Sequence, residues 1–287
     1  MLSRKLGCNV VDKRQRFDNS ADFFACPICR QALEKDGNSL KCASNHTYDL
    51  SKFGYVNLLG GKKVNDHYSK ESFENRKLIL ENGFYDHILT AIVEIVSDYP
   101  QVKTLLDIGC GEGYYSRQLL QKTDKEILAF DISKDSVQIA AKSDQTYRGK
   151  WFVSDLANLP IQLRKMDVIL DIFSPANYGE FKRVLAEDGL LIKVIPTAEH
   201  VQELRAKVRE HLQEKEYSNQ KIVAHFQESF EIVTQKEIVK TTACSAEERQ
   251  AFIDMTPLLF NVDTSQIDWL DVVRISVGAM ILVGKVK

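Results

Sequence analysis

From Lys103 onward the chain alternates between two textures, and that alternation leaves few folds open to it. Short runs rich in Val, Ile and Leu stand at Thr104 to Ile108, Glu126 to Phe130, Trp151 to Val153, Asp167 to Ile172 and Leu190 to Ile195, with amphipathic stretches between them. Strands that are apolar throughout must be covered on both faces, and right-handed crossovers supply the helices that cover them. The pattern predicts a doubly wound α/β domain around a parallel sheet. The tail departs from this rhythm. Residues 230 to 240 and 272 to 286 read as two further strands around a helical insert at 246 to 254, a closing hairpin that brings the expected sheet to seven strands.

The first of these strands runs straight into a glycine turn, Leu105-Leu106-Asp107-Ile108-Gly109-Cys110-Gly111-Glu112-Gly113. Glycines at a strand-to-helix turn let the backbone approach a ligand closely. A dinucleotide fingerprint would place its third glycine one residue later, whereas the spacing here is G-x-G-x-G. The second strand ends in Phe130-Asp131-Ile132-Ser133, so Asp131 is placed to accept ribose hydroxyls; the third ends in Val153-Ser154-Asp155-Leu156, where Asp155 can receive the adenine amine. Either carboxylate alone also reads as a helix cap or turn residue. Together, after the glycine turn, they resemble the S-adenosylmethionine seat of the class I, Rossmann-like methyltransferases, with Asp107, Gly109, Gly111, Glu112 and Gly113 as further cofactor-binding candidates.

Ahead of the α/β region the texture is different. Cys26-Pro27-Ile28-Cys29 is followed after twelve intervening residues by Cys42 and, after three more, by His46. Two pairs at such spacings close the tetrahedron that structural Zn2+ prefers and leave no open position for catalysis. Cys8, Cys110 and Cys244 are isolated and are given no role. The expected organisation is a basic N-terminal extension over 1–22, a zinc-binding domain over 23–65, a helical linker over 66–100 with a turn at Asn82-Gly83, and a methyltransferase domain over 101–287.

The formal charge of −2 hides an asymmetry: residues 1–70 hold 12 Lys and Arg against 7 Asp and Glu, which leaves 26 against 33 for the rest. A basic zinc unit suits a polyanionic partner, and Arg4, Lys5, Lys13, Arg14, Arg16, Lys52, Lys62 and Lys63 are the candidate phosphate contacts. No run approaches the ~20 apolar residues of a membrane span, and the first residues lack the apolar stretch of a signal peptide, so a cytoplasmic protein with no membrane contact is expected.

Four stretches narrow the resemblance: Cys26-Pro27-Ile28-Cys29, Lys52-Phe53-Gly54-Tyr55-Val56-Asn57-Leu58, Asp107 through Tyr115, and Met255-Thr256-Pro257. Over roughly residues 23 to 285 the chain resembles the 23S ribosomal RNA guanine-N1 methyltransferases. Leu170 through Tyr178 is similar to their Gram-positive branch, associated with tylosin-type macrolide resistance. The resemblance implies 23S ribosomal RNA as partner, the same Cys26, Cys29, Cys42 and His46 zinc set, and cofactor contacts at Tyr85, Gly111, Glu112 and His200.

Guanine N1 carries a proton that must leave during transfer, and Asp171, at the end of the fourth strand, is the first candidate to take it. Tyr178 and Tyr55 are candidates to stack on a splayed base. A homodimer is the expected assembly, since two-fold symmetry is the commonest closed form. Two other readings compete: a small-molecule methyltransferase, suited to the acidic bulk of the chain, and a zinc-stabilised RNA-binding protein without turnover.

Overall fold

Leu105 and Leu106 are neighbours in sequence, yet they sit in different apolar cores, because successive side chains on a strand point to opposite faces of its sheet. The same split separates Ile127 from Leu128, Val168 from Ile169 and Leu191 from Ile192. Strands of this kind belong at the centre of a three-layer structure, and a computed structural model, which describes residues 12–60, 70–212 and 217–287, has that form.

An antiparallel ribbon of β1 (Glu34–Asp36), β2 (Ser39–Lys41) and β3 (Thr47–Asp49) comes first, followed by β4 (Tyr55–Asn57). Helices α1 (Lys70–Glu81) and α2 (Asp86–Ser97) flank the turn at Gly83, whose φ of 81° suits a residue without Cβ. The wound region runs β5 (Thr104–Ile108), α3 (Tyr114–Lys122), β6 (Glu126–Asp131), α4 (Lys134–Ser143), β7 (Lys150–Val153), β8 (Met166–Ile172), α5 (Tyr178–Val184) and β9 (Leu185–Pro196). It closes with α6 (Gln202–Lys207), α7 (Gln220–Ser229), β10 (Phe230–Ala243), α8 (Ala246–Met255) and β11 (Arg274–Val286).

The main sheet has the order β10-β11-β9-β8-β5-β6-β7-β4, parallel from β9 to β4, with the antiparallel β10–β11 hairpin at the other end. It therefore holds eight strands among the described residues, not the seven expected. The addition is β4, which pairs in parallel with β7 through Tyr55, Val56 and Asn57 and is extended by Leu58 N–H donating to Val153 O at 2.9 Å. Without β4, the ladder groups of β7 would face outward as an open edge. This pairing buries Tyr55 and removes it as a base-stacking candidate.

Helices α1 to α4, α6 and α8 supply apolar side chains to one core. The other is shared by α5, α7 and the N-terminal unit, so the zinc ribbon packs directly on the sheet. Phe24, with no exposed surface, lies edge-on to Phe152 at 5.2 Å between ring centroids. Truncating such a ring to alanine typically costs about 3–5 kcal/mol. Arg16 ties the same seam from within: it donates to Gly54 O at 3.1 Å and meets Asp144 at 3.2 Å, both side chains fully buried. Arg16 is therefore a structural cation and not a phosphate contact. Arg4, Lys5, Lys62 and Lys63 lie outside the described residues. No described helix is long and apolar enough to cross a membrane.

Candidate active site and metal centre

The metal cluster is assembled almost entirely by local turns. Arg30, with φ 63°, reverses the chain after Cys29 and donates its N–H to Cys26 O at 2.9 Å; Asn45, with φ 65°, does the same between Cys42 and His46. One ligand atom from each of Cys26, Cys29, Cys42 and His46 falls within 4.8 Å of all the others. The separations are 3.6 Å for Cys29 Sγ to Cys42 Sγ, 3.3 Å for Cys42 Sγ to His46 Nδ1 and 3.5 Å for Cys26 Sγ to His46 Nδ1. A zinc tetrahedron with bonds of about 2.0–2.3 Å has edges of roughly 3.5–3.8 Å, so the donor set fits the ion in number, type and spacing. Tyr48, which the sequence gave no reason to single out, lies 3.3 Å from Cys26 Sγ and its hydroxyl can donate to that sulfur as thiolate.

The glycine turn leaves β5 at the carboxyl edge of the sheet. Gly113 has φ 82°, and a Cβ there would lie 2.7 Å from both Ala140 and the Trp151 ring, so the turn packs against α4 and β7 only as glycine. Gly111 has φ 55° but nothing within 4 Å of its would-be Cβ. One glycine seats the loop and the other faces open space, the arrangement a backbone cradle for a ligand needs. Asp131, at the end of β6, fixes the loop by accepting from Gly111 N–H at 3.0 Å and Ser133 N–H at 2.9 Å. Asp107 is buried and accepts from Ser116 Oγ at 2.6 Å; burial pushes its carboxyl up to about 7. Glu112 is buried and raised for the same reason, while accepting from Tyr114 N–H at 3.2 Å. Asp155 is half-buried at the tip of β7, where it caps a short 3-10 turn through Ala157 N–H at 2.9 Å.

Asp107, Gly109 and Glu112 line a small pocket at the turn. Arg76, Leu80 and Tyr115 are shared between that pocket and a cavity of about 590 Å³ beside it. Tyr85 and His200 border the larger cavity, with ring centroids 6.0 Å apart, and Phe173 stands 5.2 Å from His200. His200 Nδ1 lies 3.1 Å from Gly278 O and donates to it in the neutral ring, which leaves Nε2 as an acceptor. Burial pulls the imidazole down to about 4, so it is neutral near pH 7. Asp131 and Asp155 line neither cavity.

Two backbone features mark the larger cavity as constrained. Phe173 has φ 53° and Val201 has φ 46°, left-handed conformations disfavoured for aromatic and β-branched residues, and both line it. Such strain persists where surrounding structure holds it, often at functional sites. Asp171 is absent from the lining. It is fully buried behind Lys193, which does line the cavity and donates to Asp171 Oδ2 at 2.6 Å. Burial pushes the Asp171 carboxyl up to about 6, against the pull of the Lys193 ammonium. The sequence did carry a signal for Lys193: one charged residue inside the apolar run Leu190 to Ile195 is costly unless paired.

A glycine-turned cofactor edge on a doubly wound sheet, with a Cys3His cluster packed beneath, defines a class I, S-adenosylmethionine-dependent methyltransferase carrying an N-terminal zinc ribbon. The zinc-ribbon family model described as "RlmA, N-terminal" matches residues 24–65, and that described as "Methyltransferase domain" matches 105–189. YxjB of Bacillus subtilis, which bears the name of a 23S rRNA (guanine-N1-)-methyltransferase, is 36% identical over 92% of this chain and 98% of its own length. A 23S rRNA (guanine(748)-N1)-methyltransferase of Streptomyces fradiae is 29% identical over 65% of this chain and 68% of its own. A Micromonospora griseorubida relative with the same type of name is 30% identical over 62% and 67%. The chain belongs to the 23S rRNA (guanine-N1-)-methyltransferase family.

Proposed function

We propose that this chain methylates N1 of a guanine in a hairpin of 23S ribosomal RNA. The observation that carries the reading is the aromatic cavity opening beside the glycine turn, lined among the described residues by Arg76, Lys193, Arg205 and Lys221 and by no Asp or Glu. A cavity of about 590 Å³ accommodates a base turned out of its stack, and Tyr115, Phe173 and Tyr178 offer faces for it. Arg205 and Lys221 are available for phosphates on either side of that base.

Bound S-adenosylmethionine supplies a methyl group on a positively charged sulfur. Gly111, on the open side of the turn that Gly109 and Gly113 shape, is proposed to give it backbone access, Asp131 and Asp155 are proposed for ribose and adenine, and Asp107, Glu112, Tyr85 and His200 for its remaining contacts. The chain's main catalytic contribution is then alignment of the donor carbon with guanine N1. The zinc ribbon buttresses the sheet from below, and its exposed Lys52 is proposed to reach flanking RNA. Assembly as a two-fold dimer is retained as part of the proposal. Tritiated-methyl transfer separates the readings: label in 23S rRNA is expected, and label confined to small-molecule extracts would overturn the assignment.

A further inference from the structure

Lys193 sits near the carboxyl end of β9, where its neighbours, Leu191, Ile192, Val194 and Ile195, are all buried and apolar, and it is itself only 4% exposed. Its partner across the β8–β9 ladder is Asp171, in direct register and fully buried. A buried ion pair gives little net stability compared with apolar residues of the same volume, because both charges lose their hydration. Stability therefore gives no reason for this pair to stand in an apolar sheet, and its position does give one. The ammonium has three N–H donors; Asp171 Oδ2 at 2.6 Å and Ser174 O at 3.3 Å take two, and the group lines the larger cavity.

We propose that the Lys193 ammonium, held at the cavity floor by Asp171, is the catalytic group that receives guanine O6 and balances the negative charge left when N1 gives up its proton. The inference rests on the guanine-N1 reading given above. Loss of the N1 proton leaves an anion shared between N1 and O6, so a fixed cation at O6 favours the reactive form where charge develops. A carboxylate facing the same edge would oppose it, which removes Asp171 as the direct acceptor and makes it the positioning residue for Lys193. In the step, the N1–H bond breaks and the proton passes to water at the cavity mouth. The N1 electron pair forms the bond to the methyl carbon, and the sulfur–methyl bond breaks with its pair left on sulfur as a neutral thioether.

The surroundings bias the site the same way. Arg76 from α1, Arg205 from α6 and Lys221 from α7 line the cavity, His200 is held neutral, and His225 lies against the Tyr178 ring at 4.8 Å between centroids. Asp171 in turn helps to raise the carboxyl of Asp107 on β5 and the hydroxyl of Tyr178 on α5, while the groups acting on Asp171 itself are Lys193 and Ser174. Among the described residues, no carboxylate lines the cavity that Lys193 borders.

The test uses the zinc-loaded full chain and an rRNA hairpin in which 2-aminopurine, a purine without O6, replaces the methylated guanine. The wild type is expected to bind the guanine hairpin about tenfold more tightly than the 2-aminopurine hairpin, and Lys193→Met to bind the two alike, as for loss of one charge-assisted hydrogen bond. Single-turnover transfer near pH 7.5 is expected to fall about 100-fold in Lys193→Met, the scale of one lost oxyanion donor. It should then recover roughly tenfold per pH unit toward pH 9, as solvent takes over N1 deprotonation, while the wild type changes less. Lys193→Arg should restore part of the rate, and Asp171→Asn should steepen the pH profile. Because Lys193→Met leaves a carboxylate buried alone, the double variant Asp171→Asn/Lys193→Met, with its affinity for S-adenosylhomocysteine measured by calorimetry, serves as the folded control. Wild-type discrimination against 2-aminopurine or a wild-type pH profile in that double variant overturns the role of Lys193 while leaving the guanine-N1 reading intact. A wild type that transfers no methyl to 23S rRNA takes both down.

Discussion

The zinc ribbon packs several of its cations into its own support, whereas the cavity of the α/β region turns its cations toward an open space, Lys193 included although Asp171 pairs with it. In the ribbon and the segment before it, several of the described cations are absorbed: Arg16 is buried against Asp144, Arg14 closes on Asp12, Lys35 meets Asp18, and Lys13 donates to backbone carbonyls of α4. In the cavity, Arg76, Lys193, Arg205 and Lys221 converge from helices and a strand of the acidic part of the chain, and no carboxylate among the described residues lines the space. A tally of charge along the sequence therefore points to one end of the molecule, while among the described residues folding also gathers cations around a cavity at the other. The ribbon's chief contribution is the apolar and ionic seam that supports the sheet; the cavity's is recognition.

That contrast can be broken at either region. The largest expected effect is at the metal centre. Cys26→Ser should abolish stoichiometric zinc and, since structural zinc binding of about 10 kcal/mol or more is folding energy, expose the core shared by the ribbon and the sheet. Metal analysis with hydrogen exchange on β4 and β7 checks this, and unchanged protection there would separate ribbon from sheet. Next comes Arg16→Ala, which leaves Asp144 buried without its cation and should cost about 3–5 kcal/mol in thermal or denaturant unfolding. Wild-type stability with weakened RNA binding would return Arg16 to the role the sequence first suggested.

A smaller effect tests recognition directly. Arg205→Glu at the cavity should weaken hairpin binding about tenfold and lower the salt slope by about one ion, whereas Lys52→Glu on the ribbon, at the edge of the RNA contact, should weaken it by only about threefold. The reverse ranking would place the RNA on the ribbon. The smallest effect concerns Asp107, whose carboxyl stands at about 7 in the fold against 3.8 free. The folded state holds that proton more tightly, so this group's contribution to stability is greatest at low pH and is lost as pH rises from about 4 to 7. Between pH 6 and 8 the zinc-loaded protein should lose about 1 kcal/mol through this group, and Asp107→Asn should flatten that slope. A slope that survives the substitution belongs to another residue.

What the sequence made legible follows the range over which each feature is built. The zinc set spans Cys26 to His46, and its geometry comes from two local turns, so spacing alone revealed it. The glycine turn and Asp131 are likewise set by strand ends, and the alternation of apolar runs sufficed for the wound sheet. Strand β4 escaped because three residues carry no periodicity; its partner β7 lies far along the chain, and that pairing is what buried Tyr55. Asp171 stands near the carboxyl end of its strand as expected, but the Lys193 ammonium that donates to it emerges only once β8 and β9 are in register. The cavity itself joins side chains from α1, β9, α6 and α7, a constellation that no local pattern contains.

The central claim is most directly tested by primer extension on 23S rRNA incubated with the zinc-loaded protein and S-adenosylmethionine. A methyl group at guanine N1 blocks the pairing edge, so the account predicts one new reverse-transcription stop within a hairpin, dependent on the methyl donor and lost in Gly111→Trp, which fills the open side of the glycine turn. Full-length extension through every guanine, with methyl transferred to some other acceptor, would contradict it.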